Sequence, residues 1–238
     1  TLEHDDAGLG EVEWNSFVQV DSDTYALAYE GEDDDGFIST FTISSDGTTI
    51  TEVDTLEHDT IGNPNQHNSL VQVDSDTYAL AYSGLHNDAF ISTFTIDSDG
   101  NITAVKTQSE GNNLNYAEPP QPTESWGKSF VKMDSDTFAL GHASSSLGGH
   151  VTTFNISADG KSITKLSTLE HDTGYATRGT MLKVGSDTVA IAYYGGGGNG
   201  GIISTVTIGT GADLISVNKN INTSLSESIT LTDSIVAG

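Results

Sequence analysis

The chain has 238 residues, 34 Asp+Glu against 8 Lys+Arg, a formal net charge of −26 and no cysteine. Nucleic-acid backbones and anionic membrane surfaces, which need clustered Lys/Arg, are excluded as partners, and so are disulfides, Cys-based zinc sites and thiol nucleophiles. The lone arginine, Arg178, makes no phosphate clamp, and no run of about 18 apolar residues exists for direct membrane insertion.

In chain order the first landmark is Thr-Leu-Glu-His-Asp at 1–5, which returns at 55–59 and 168–172. The start at Thr1 rather than Met fits a processed or excised chain. Residues 16–29 read Ser-Phe-Val-Gln-Val-Asp-Ser-Asp-Thr-Tyr-Ala-Leu-Ala-Tyr and return almost unchanged at 69–82, then in weaker form at 129–140 and 180–193. The Asp-Thr landmark falls at 23, 76, 136 and 187, so the spacings are 53, 60 and 51. A β-branched and aromatic motif follows each copy, at 37–43, 90–96, 151–156 and 202–208.

Each repeat predicts four short strands. The first ends at the Asp-Ser-Asp turn, and the second alternates large and small residues. The third carries the β-branched motif that suits a pleated, half-buried surface. A Ser-Asp-Gly or Ala-Asp-Gly hairpin at 45–47, 98–100 or 158–160 then leads into the fourth, because Gly accepts positive φ.

Four-stranded units at this period predict an all-β fold, a β-propeller of four four-stranded blades closed on itself. The alternative is that these are four blades of a larger or oligomeric propeller. Residues 1–220 form the propeller, with blades at approximately 16–59, 69–107, 129–172 and 180–220. Residues 221–238 read as a linker, a stalk start or an exchanged strand. The stretch 107–128, which holds Pro119, Pro120 and Pro122, reads as a long inter-blade loop.

The motif Val-Asp-Ser-Asp-Thr-Tyr-Ala-Leu-Ala-Tyr, with Phe-Ile-Ser-Thr-Phe-Thr-Ile, Asp-Gly and Leu-Glu-His-Asp, resembles repeats of propeller-like proteins secreted by marine microbes. The tail Ser-Glu-Ser-Ile-Thr-Leu-Thr-Asp-Ser at 226–234 is similar to surface proteins of ammonia-oxidising archaea. These resemblances imply an extracellular or cell-surface location and bring no catalytic residues with them.

Short invariant turns occupy one face of such a propeller, whereas loops that differ between blades occupy the other, so a local function belongs on the second face. The Asp-Ser-Asp turns read as Asx turns rather than calcium ligands. Leu-Glu-His-Asp reads as a blade-to-blade hydrogen-bonding device, since neighbouring Glu57 and His58 point to opposite sides of a strand. Asp33, Asp34 and Asp35 are candidate calcium ligands, with a solvated acidic loop tip as the simpler reading. The expectation that follows is a melting temperature raised more by millimolar calcium than by sodium at matched ionic strength.

Before the inner strands come Trp14, His67, Trp126 and Arg178, which differ from blade to blade; with His86 and His150 they are the ligand-binding candidates. The sequence thus predicts a non-enzymatic binding or adhesion module that recognises a glycan or a surface protein. The alternative is a structural subunit that assembles with copies of itself through 221–238. A propeller hydrolase or lyase ranks below both for want of a convergent acid/base set.

Overall fold

The computed structural model describes residues 1–2, 13–60, 66–84, 89–109, 129–143, 148–174, 176–195, 200–209 and 214–223, excepting the side chains of 66, 109, 177, 178 and 214–223. Among the described residues sixteen strands form four antiparallel sheets, each a meander whose neighbours in sequence are neighbours in space. The first blade holds β1 (Glu13–Gln19), β2 (Thr24–Glu30), β3 (Gly36–Ile43) and β4 (Ile50–Asp59). The second holds β5 (Gln66–Gln72), β6 (Thr77–Ser83), β7 (Ala89–Ile96) and β8 (Ile102–Ser109). The third holds β9 (Ser129–Lys132), β10 (Thr137–Ala143), β11 (Gly149–Ile156) and β12 (Ile163–Asp172). The fourth holds β13 (Ala176–Lys183), β14 (Thr188–Gly195), β15 (Gly200–Ile208) and β16 (Leu214–Thr223). The inner strands β1, β5, β9 and β13 follow one another side by side. This is the four-bladed propeller that the repeats predict.

The alternation of each second strand explains how blades stack. Successive side chains point to opposite faces. Tyr78, Leu80 and Tyr82 therefore face the first blade and pack on Ala26, Ala28 and Ile38. Ala79 and Ala81 face the third and meet Phe138, Leu140 and Phe154. The third and fourth blades join through Ala139 and Val151 against Val189, Ile191 and Tyr193. Large residues on one blade thus fill the relief left by small ones on the next.

The turns behave as the sequence requires. Asp21 Oδ1 accepts the backbone N–H groups of Asp23 and Thr24 at 3.1 and 2.9 Å, and Asp134 repeats the arrangement in the third blade. Gly47, Gly100 and Gly160 take φ of +68°, +86° and +69° at the hairpin tips.

Leu-Glu-His-Asp joins neighbouring blades through two different residues. The His58 ring sits edge-on to Tyr82 and Phe94 of the second blade, with centroids 4.8 and 5.7 Å away, and both its nitrogens are buried without a hydrogen bond. Its contact is aromatic packing. The cross-blade hydrogen bond comes instead from the aspartate of the motif, whose Oδ2 in Asp172 accepts the Tyr193 hydroxyl at 2.7 Å.

Candidate acid/base site at the bulged end of blades 1 and 2

The start of each inner strand pairs with the end of its second strand, and in three blades a β-bulge interrupts the pairing there. Trp14 and Asn15 lie opposite Tyr29 alone, His67 and Asn68 opposite Tyr82, and Arg178 and Gly179 opposite Tyr193. A bulge re-aims the strand end and its side chains. In the first two blades the first bulge residue is left-handed, with φ of +56° for Trp14 and +62° for His67. Such a conformation costs a bulky residue about 1–3 kcal/mol and is concentrated at functional sites. The Trp14 and His67 rings meet across the blade junction at 4.2 Å and 58°.

Beside this pair lies an acid that only the first blade has. Glu30 ends β2 and pairs with Glu13 on one side and Gly36 on the other. Its counterparts by register are Ser83, Ala143 and Tyr194. Glu30 is 6% exposed, and its Oε2 is buried with no hydrogen-bond partner. Burial raises its pKa to about 7, helped by the negative charges of Asp34 and Glu13. Glu57 is also raised, by desolvation and then by its hydrogen bond and repulsion with Asp35.

The acidic loop forms a single 3-10 turn at Glu32–Asp34, with Asp33 and Asp34 left-handed at φ +58° and +62°. Asp33 and Asp34 are exposed, whereas Asp35 is half-buried. Among the described residues no group of three or more His, Asp or Glu is placed to hold a metal ion.

Of the other candidates, His150 lies in the third blade, with its ring stacked on His142 at 5.6 Å and its Nδ1 3.0 Å from the Gly148 carbonyl. His142 replaces the tyrosine of the other blades in a side-chain relay: its Nε2 lies 2.9 Å from Thr152 Oγ1, which reaches Thr168 Oγ1. Tyr29–Ser39–Thr55 and Tyr82–Ser92–Thr107 make the same relay elsewhere. The structure therefore brings Trp14 and His67 together and sets His150 apart in another blade. Trp126 and His86 lie outside the described residues, and for Arg178 only the backbone is described. Glu30 is the residue that sequence reasoning missed as a site. Its signal was present: the residue after the repeated Ala-Tyr is acidic in one blade only.

No protein-family model matches the chain, and no curated sequence does. Solved structures do match by fold. A protein from Lactobacillus plantarum superposes with a TM-score of 0.60 at 15% identity, over 89% of this chain and 55% of that one. A provisionally assigned 6-phosphogluconolactonase from Bacteroides uniformis gives 0.57 at 11%, over 87% and 56%. A Trypanosoma rangeli sialidase, solved with an inhibitor, gives 0.54 at 10%, over 86% and 37%. The chain thus spans little more than half the length of the first two.

These neighbours correct the expectation of a non-enzymatic module. Its architecture is shared with propellers named for hydrolytic enzymes, so the repeat fold supplies no ground for denying catalysis. Glu30, at the start of the acidic loop, is buried, whereas Asp33 and Asp34 at its tip are exposed.

Proposed function

We propose that the chain is a hydrolase-type propeller acting on an uncharged sugar lactone or glycoside at the bulged end of blades 1 and 2. One observation carries this reading: a buried, blade-specific carboxyl stands beside an ionised neighbour, next to a strained aromatic pair. The fold neighbours named for lactonase and sialidase activity support the reaction class. The negative charges of Asp34 and Glu13 beside Glu30 disfavour a phosphorylated or sialylated substrate by like-charge repulsion.

Glu30 supplies the proton. A carboxyl held neutral near pH 7 protonates the departing ring or glycosidic oxygen as the bond to carbon breaks. Asp34, whose charge Glu30 feels, stabilises the positive charge that develops at the anomeric carbon of a glycoside, or takes a proton from the water that attacks the carbonyl carbon of a lactone. The Trp14 ring offers an apolar face to the sugar.

The test is turnover by the full chain of neutral, phosphorylated and sialylated fluorogenic glycosides and of the corresponding lactones. Hydrolysis of a neutral substrate is expected, falling as pH rises through about 7, with Glu30→Gln slower by about 10²–10⁴-fold while folded. Wild-type rates retained by Glu30→Gln, or turnover confined to phosphorylated substrates, would overturn the proposal.

A further inference from the structure

Two polar atoms of opposite character are buried at one blade junction with no hydrogen-bond partner among the described residues. One is the acceptor Glu30 Oε2, and the other is a donor, the indole Nε1–H of Trp14. Both belong to the same corner of the first blade, because Glu30 pairs with Glu13, the residue before Trp14. Both also face the second blade. Ala26 and Ala28 of β2 pack on that blade, and side chains alternate along a strand, so Glu30 points the same way. The Trp14 ring reaches it at His67.

This pair is particular to the first blade. The bulge equivalents of Trp14 are His67 and Arg178, and no other blade has an acid at the position of Glu30. The nitrogens of His58, buried at the same junction without a hydrogen bond, are of another kind. His171 repeats that ring and its edge contact in the third blade, against Tyr193, so they belong to the repeat. Trp14 Nε1 and Glu30 Oε2 have no such structural duplicate.

An unpaired buried donor or acceptor costs stability, and its persistence asks for a partner that arrives from outside. A hydroxyl suits both atoms at once, since its oxygen accepts from an N–H and its hydrogen donates to a carboxyl oxygen. A phosphate or carboxylate would satisfy the indole alone and would meet the negative charges of Glu13 and Asp34. An apolar group would satisfy neither.

We infer that Trp14 Nε1 and Glu30 Oε2 together read one hydroxyl of the substrate, the 2-hydroxyl of a neutral glycoside. This rests on the hydrolytic reading and adds a specificity determinant to it. Glu30 fixes which hydroxyl is read: it protonates the oxygen that leaves the anomeric carbon, and the hydroxyl on the adjoining carbon lies nearest. A neutral carboxyl accepts at one oxygen and donates from the other, so Glu30 serves both groups together. The indole N–H lies in the ring plane, which leaves the Trp14 face to the departing group. Removing the 2-hydroxyl strands a buried donor and a buried acceptor, and a site of that kind rejects the shortened analogue.

The test compares para-nitrophenyl glucosides and galactosides with their 2-deoxy analogues, on the full chain and on Trp14→Phe, with circular dichroism as a check on folding. Loss of the hydroxyl should lower kcat/KM on the order of 10–100-fold in wild type. In Trp14→Phe, which keeps a ring and lacks the N–H, that penalty should shrink by about threefold or more. A second measurement needs no turnover. The chain has two tryptophans, so its indole N–H spectrum holds two signals, and Trp14→Phe identifies one of them. Methyl glucosides and galactosides should move the Trp14 signal, and their 2-deoxy analogues at the same concentration should not. Equal penalties in the two proteins, or a Trp14 signal moved alike by both sets or by neither, would overturn the inference. Hydrolysis with equal penalties leaves the hydrolytic reading standing. A Trp14 signal that answers to the 2-hydroxyl in a chain without turnover removes hydrolysis and keeps the recognition.

Discussion

Glu30 and His58 are two buried ionisable groups with opposite consequences for stability. The folded pKa of Glu30 lies above its ordinary value of 4.5, at about 7. Its neutral form is the one that suits the fold, so its contribution is complete below about pH 4.5 and is lost as pH rises through 7. Glu30→Gln should therefore gain in melting temperature relative to wild type between pH 5 and pH 8, even as it loses activity. A merely structural glutamate held by a hydrogen bond would give the opposite trend. His58 is depressed to about 3 by burial. Its contribution is present above about pH 6.5 and is lost as pH falls through that value toward 3. His58→Phe keeps the edge contacts with Tyr82 and Phe94 and removes the titration. At pH 5 it should be more stable than wild type, relative to pH 7.5, by on the order of 2 kcal/mol in denaturant titrations.

Among the elements, the hairpin and the bulge divide the work. The hairpin tips are structural, since Gly100 and Gly160 each accept a threonine hydroxyl from the blade before. Thr93 is fully buried and donates to Gly160. Thr93→Val keeps the shape and orphans a carbonyl, so a loss of about 1–3 kcal/mol is expected in chemical denaturation. No measurable loss would mean that apolar packing alone joins the second and third blades. The bulges are where local rules are broken. Tryptophan and histidine in the left-handed region contradict their own preference, and such conflicts are expected where function outweighs stability. The hairpins were legible because Asp-Gly announces its own conformation. The bulges were not, because no residue of Trp-Asn or His-Asn favours one; the extra residue shows only when the two strands are laid in register.

For the whole molecule, 34 acids against 8 bases make self-repulsion a general cost of compactness. The depressed pKa values of Asp21, Asp46, Asp97, Asp134 and Asp159 offset this in part through backbone and side-chain hydrogen bonds, and for Asp46 the value reaches about 2. Stability from these turns is present above about pH 4 and is lost as pH falls toward 2. Screening should act on the remainder. Raising sodium chloride from about 0.05 to about 1 M shortens the Debye length to about 3 Å and should raise the melting temperature at pH 7.5. A melting temperature independent of salt would show that the acids are already neutralised in pairs or by bound cations.

By itself the sequence determined the blades. Period, strand alternation and turn residues are local properties, repeated four times, and each copy corroborates the others. Tyr-Ala-Leu-Ala-Tyr states both faces of a strand before any neighbour is known. Only the tertiary structure decided what lies between the blades. That Glu30 is buried while Asp33 and Asp34 are exposed depends on where a loop turns back over a strand end. That His58 packs on aromatic rings rather than hydrogen-bonding depends on which blade stands behind it. Burial and electrostatic field belong to neighbours distant in sequence, and repetition is silent about them because the deciding residue occurs in one blade alone.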